Sequence, residues 1–133
     1  MHSIEPEAHN FYLLNRNITI NNFGHLINAY CLAFHDRFSI SHLNLSIEEA
    51  GSALHSFDRN INQYGDEFTP VRKQGSVGIT LDSFIDSLNL TINHIKIDVD
   101  GNEGLILFGA DQTLKNHNVK SILLELDIFL KNY

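Results

Sequence analysis

Apolar positions along the chain follow two patterns, a helical spacing in some stretches and short continuous or alternating runs in others. His2 to Glu5 is a short extended segment that stops at Pro6. A proline there removes a ladder donor and pre-sets the first turn of a following helix. From Glu7 to Asn21, Phe11, Leu14 and Ile18 recur at helical spacing with Tyr12 and Leu13 alongside, predicting an amphipathic helix closed by Gly24. Leu26 to Phe34 is an apolar run with few charges and predicts one strand buried on both faces. Phe38 to Ser41, Leu43 to Leu45 and part of Phe68 to Val77 alternate as strands do. Ala50-Gly51-Ser52-Ala53 and a polar stretch through Asn60, Asn62, Gly65, Asp66 and Glu67 lie between them. Residues 37–79 therefore read as a variable insertion of hairpin-like strands around a loop.

The last third is more regular. Thr80 can cap a helix from Leu81 to Leu88, with Asp82 in the first turn, where the helix dipole favours an anion. Ile95 to Val99 predicts a strand that runs into polar residues and a glycine. Glu103 to Asn116 predicts one helix with Leu105, Phe108 and Leu114 facing inwards, and Ser121 to Leu126 a further buried strand. This alternation of strands and helices argues for a layered α/β domain.

The 133 residues fit one domain, with 43% hydrophobic and 19% charged residues as in ordinary globular proteins. Sixteen acidic against nine basic residues give a net charge of −7, without a basic cluster, which argues against a nucleic-acid partner. The start of the chain has no basic and apolar signal, and no apolar run is long enough to span a bilayer. A cytoplasmic protein with no membrane partner is the expectation. The single cysteine, Cys31, suits a reducing compartment, and its apolar neighbours predict a buried structural thiol.

In open α/β sheets ligands sit beyond the carboxyl ends of the strands. Three of the predicted strands deliver an acid there: Glu5, Asp98 and Glu125. A carboxylate in such a place can accept the hydroxyls of a ribose, act as a base, hold an ammonium group, or simply cap a helix or end a strand in solvent. Asp98-Val99-Asp100-Gly101-Asn102-Glu103 is not an EF-hand loop, since that loop needs glycine sixth and glutamate twelfth. Counted from Asp98, glycine is fourth and the twelfth residue is Gly109. A magnesium ion on Asp98, Asp100 or Glu103 stays open, and no metal site is assigned. The eight histidines have no zinc-ligand spacing, and no nucleophile elbow, Walker loop or dinucleotide-type glycine motif occurs.

Thr80-Leu81-Asp82-Ser83, Ile95-Lys96-Ile97-Asp98-Val99-Asp100-Gly101-Asn102-Glu103 and Leu107-Phe108-Gly109-Ala110 resemble the C-terminal signature of the FkbM family of methyltransferases. Asp100 stands where that signature more often has glutamate, which keeps the charge. Ile4-Glu5-Pro6 with Asn10-Phe11, Leu14, Asn17 and Asn21 is similar to the family's glutamate–proline segment and the helix after it, and Gly51-Ser52-Ala53 to its glycine–serine stretch. The resemblance implies a partial class I methyltransferase sheet, Rossmann-like, with helices on both faces, and S-adenosylmethionine as cofactor. It implies methyl transfer to an oxygen of a sugar or natural-product acceptor.

By position, the resemblance assigns the ribose hydroxyls to Glu5 with Pro6, the adenine surroundings to Ala33 and Asp36, the reacting side to Asp98, Lys96 and Glu103, and the acceptor to Glu125. Lys96 equally fits a structural partner of Asp98. The family's first strand and glycine-rich loop would precede His2, and its last two strands would follow Tyr133. From this the chain is expected to bind the cofactor weakly or not at all by itself, and to be poorly stable or to form homo-oligomers through exposed sheet edges. A non-catalytic module with a structural or interaction role is the alternative function.

Overall fold

The computed structural model describes residues 1–45, 56–58, 60, 67–99 and 101–125. The expectations for Gly51-Ser52-Ala53, Asn62, Gly65, Asp66, Asp100 and Leu126 lie outside them. The chain is a mixed α/β structure whose strands, among the described residues, form three separate ladders. The first joins β1 (His2–Ile4) in parallel to β2 (Asn28–Tyr30), with Ser3 opposite Ala29. The second is mixed, in the order β3 (Ala33–Phe34), β6 (Arg72–Ile79), β4 (Ser39–Leu45), β5 (Ser56–Phe57). The third joins β7 (His94–Ile97) in parallel to β8 (Ser121–Leu124).

The first helix, α1 (Ala8–Ile20), forms where its apolar spacing places it and packs on β2. Ile18 is buried, Phe11, Leu13 and Leu14 are half-buried, and Tyr12 stays exposed. After it the single strand expected from Leu26 to Phe34 is broken into two. The N–H groups of Leu26 and Ile27 both turn back to the carbonyl of Phe23, so those residues belong to a turn. Cys31 and Leu32 then separate β2 from β3, and the two strands join different ladders. In the insertion, the two alternating runs from Phe38 to Leu45 form the single strand β4. Its inner residues Leu43 and Leu45, with Ala33 and Phe57, make a buried cluster.

Helix α2 (Leu81–Leu88) starts and ends where the sequence places it, with Thr80 Oγ1 accepting the N–H of Ser83 at 3.0 Å. Its Phe84 is the hub of an aromatic group, edge-on to Tyr30 at 5.0 Å, Phe34 at 5.4 Å and His2 at 6.0 Å. One side chain thus joins β1, β2 and β3, beyond whose ends Glu5 and Asp36 stand.

The helix expected over Glu103 to Asn116 is two helices, α3 (Glu103–Phe108) and α4 (Asp111–Lys115). The break alters which residues are inside: Ile106, Ala110 and Thr113 are buried, whereas Phe108 and Leu114 are exposed. Its cause lies in two contacts. Gly109 packs so closely on β3's end that a Cβ there would sit 2.2 Å from the carbonyl oxygen of His35. Asp82 then starts a new helix by accepting the N–H groups of Gln112 at 2.9 Å and Thr113 at 2.8 Å.

Candidate active site

The carboxyl end of β1 is continued by Glu5, whose N–H donates to the carbonyl of Tyr30 at 3.1 Å. Pro6 then turns the chain towards α1. The Glu5 Oε1 atom accepts the N–H of Glu7 at 2.8 Å. Glu7 is buried and caps α1, its Oε2 accepting from Asn10 at 2.7 Å, while its buried Oε1 has no hydrogen-bond partner. Two further residues meet this turn. The Gln74 side chain donates Nε2 to the Pro6 carbonyl at 2.7 Å and accepts the Ala8 N–H on Oε1 at 3.0 Å. Cys31 points its Sγ at the same carbonyl at 3.8 Å. Cys31 is exposed rather than buried, because it stands in the gap between β2 and β3. Partial burial of its sulfur, followed by the charges of Glu5 and Glu7, holds the thiol above its ordinary pKa.

At the end of β3, Ala33 is buried and the His35 N–H extends the ladder to the Ile79 carbonyl at 2.8 Å. The His35 ring is fully buried against Phe57, with its Nδ1 2.6 Å from Asp36 Oδ1 but out of line for a regular hydrogen bond. The same Asp36 Oδ1 accepts from Arg37 at 2.9 Å, and Arg37 also reaches Asp58 at 3.0 Å. Asp36 is therefore a half-buried acid that shares the Arg37 guanidinium with Asp58.

Lys96, Asp98 and Glu125 come together at the carboxyl ends of β7 and β8. Residues two apart on a strand share a face, and Lys96 Nζ lies 2.5 Å from Asp98 Oδ2 at an exposed position. The Lys96 hydrogen bond holds the Asp98 carboxyl below its ordinary value against desolvation, with smaller contributions from the Lys96 charge and from a hydrogen bond with Glu125. Lys96 is correspondingly raised, mainly by the hydrogen bond to Asp98. The N–H of Glu125 donates to the Ile97 carbonyl at 3.0 Å, which fixes it alongside. Next in sequence, Gly101 takes a positive φ of 89°, a conformation that side chains resist. Its N–H donates to Glu103 Oε1 at 3.2 Å. Glu103 thus closes the loop between β7 and α3. Among the described residues no three His, Cys, Asp or Glu side chains gather as a metal site would require, and Asp100 lies outside them.

Gln74, Glu7 and His35 were not singled out from the sequence. Gln74 carries the only readable signal, a polar residue at an inward register position opposite Leu43, where burial demands a hydrogen-bond partner. Among the described residues no helix is long and apolar enough to cross a membrane.

The chain is thus a mixed α/β structure in which Glu5, Asp98 and Glu125 stand beyond the carboxyl ends of parallel strands. Residues 1–131 match the family model of the methyltransferase FkbM domain, and the chain belongs to that family. No curated protein and no solved structure matches it. Methyltransferases of this family generally use S-adenosylmethionine.

Proposed function

We propose that the protein is an S-adenosylmethionine-dependent methyltransferase that acts on a hydroxyl of a sugar or natural-product acceptor. The observation that carries this reading is the pair of acids beyond two parallel strands, Glu5 fixed by its turn and Asp98 kept ionised by Lys96. The donor set fits the cofactor. A ribose offers two hydroxyl donors, and the Glu5 turn offers a carboxylate and, next to it, the buried Glu7 oxygen that has no hydrogen-bond partner. Ala33 and Asp36 would flank the adenine. The class I sheet arrangement belongs to this same proposal.

The sulfonium of the cofactor supplies an activated methyl group on a good leaving group, so the protein's main contribution is alignment. Asp98, held below the ordinary carboxylate range, is a weak base that is charged at neutral pH. It accepts the hydrogen bond of the acceptor hydroxyl, aims the oxygen lone pair, and takes the proton as the oxygen–carbon bond forms. Lys96 fixes the carboxylate, Glu125 offers a second acceptor for the substrate, and Glu103 holds the loop that follows. A non-catalytic interaction module is the second reading. It is favoured by the separation of β1–β2 from β7–β8, which leaves Glu5 and Asp98 on different ladders.

The test is formation of S-adenosylhomocysteine with a panel of sugars and polyols as acceptors. Asp98→Asn is expected to lower turnover by about 10²–10⁴-fold and to leave cofactor affinity unchanged. Added chelator is expected to have no effect. Near-normal turnover in the variant would make Asp98 a strand-end residue, and no turnover with any acceptor would favour the module.

A further inference from the structure

We propose that Gln74 is the positioning residue for the Glu5 carboxylate, clamping the turn from Glu5 to Ala8 onto strand β6. The inference rests on the reading of Glu5 as a cofactor ligand. A primary amide presents donors and an acceptor side by side, and Gln74 uses one of each on a single turn, at 2.7 Å to the Pro6 carbonyl and 3.0 Å to the Ala8 N–H. Both partners are remote in sequence, and neither has another backbone ladder to join. Ala8 is the first residue of α1, so its N–H is one of the donors that a helix start leaves unpaired. The Pro6 carbonyl otherwise has the Cys31 thiol at 3.8 Å.

Between the two clamped residues stands Glu7, whose N–H donates to Glu5 Oε1 at 2.8 Å. Orientation therefore passes from β6 through Gln74 to the Glu7 N–H, and from there to the carboxylate. Gln74 touches neither cofactor nor acceptor in this account. It couples the 37–79 segment, which includes β6, to the cofactor end of the molecule.

The experiment is calorimetric titration of S-adenosylhomocysteine into the wild type, Gln74→Leu, Glu5→Ala and the double variant. Loss of two hydrogen bonds predicts roughly 5- to 30-fold weaker binding by Gln74→Leu. Because Gln74 acts through Glu5, the double variant should bind no more weakly than Glu5→Ala alone. Unchanged affinity in Gln74→Leu, or full additivity in the double variant, overturns the clamp and leaves the Glu5 reading intact. Unchanged affinity in Glu5→Ala overturns the Glu5 reading instead.

A second measurement needs no cofactor. Cys31 shares the Pro6 carbonyl, and its thiol is held up first by partial burial and then by Glu5 and Glu7, so a loosened turn that lets in water and frees the carboxylates should raise its thiolate fraction. Its reaction with a neutral thiol reagent should be faster in Gln74→Leu than in the wild type. An unchanged rate overturns the clamp whether or not the chain takes up the ligand. Should Gln74→Leu fail to fold, Gln74→Met keeps the length of the side chain, adds no charge, loses both hydrogen bonds, and carries the same expectations.

Discussion

Asp82 caps a helix other than its own. The sequence places it in the first turn of α2, where its charge suits the dipole, yet its carboxylate reaches across to α4 and takes the N–H groups of Gln112 and Thr113 and the Thr113 hydroxyl at 2.6 Å. Burial opposes its ionisation, but these hydrogen bonds outweigh burial and hold its pKa below the ordinary value. An unfolded aspartate titrates near about 3.9. The group therefore stabilises the fold fully above that pH, and the stabilisation is lost as pH falls through the lower folded value. Asp82→Ala should cost about 1–2 kcal/mol at pH 7, the range for a lost cap, and less at pH 3. Thermal unfolding at the two pH values checks this, and equal costs at both would contradict it.

Elements were legible in the sequence where local signals agreed with the packing. Thr80 and the apolar residues after it define α2, and Ile95 to Ile97 defines most of β7. The acids at the ends of β1, β7 and β8 were also legible, because strand ends follow from pattern. The break between α3 and α4 was not, since it depends on Asp82 and His35, distant residues that no local periodicity reports. The split of Leu26 to Phe34 was hidden for the same reason: an apolar run does not reveal which ladder each half will join.

The Lys96–Asp98 pair was readable from its two-residue spacing, whereas the Gln74 contacts span more than sixty residues. The close approach at the α3–α4 junction gives a test at this scale. Gly109→Ala would place a methyl group against the His35 carbonyl backbone, which cannot swing away as a side chain could. It should destabilise by about 1–3 kcal/mol, as overpacking does. A urea midpoint equal to that of the wild type would show that α3 and β3 can move apart.

Taken whole, the molecule combines a net charge of −7 with short ladders. Among the described residues β1 hydrogen-bonds along its length only to β2, and β7 only to β8. Two-stranded parallel ladders are marginal in water, and open edges recruit further strands. Ile122 and Leu123 on β8 are both exposed, on opposite faces of the same strand. The chain is therefore expected to associate through its sheet edges. Light scattering after size-exclusion chromatography should give a mass above that of one chain, rising with concentration and falling little with salt. A monomer at every concentration, with a sharp unfolding transition, would contradict this.

Cofactor binding at Glu5 is the claim on which the functional account stands. Titration of S-adenosylhomocysteine into the wild type and Glu5→Ala, with thermal unfolding of both, tests it most directly. The account predicts weak, saturable binding by the wild type. It predicts a loss of roughly 1.5–3 kcal/mol in Glu5→Ala, the range for hydrogen bonds to a charged group, with the unfolding temperature little changed. Equal affinity in the two proteins would contradict it.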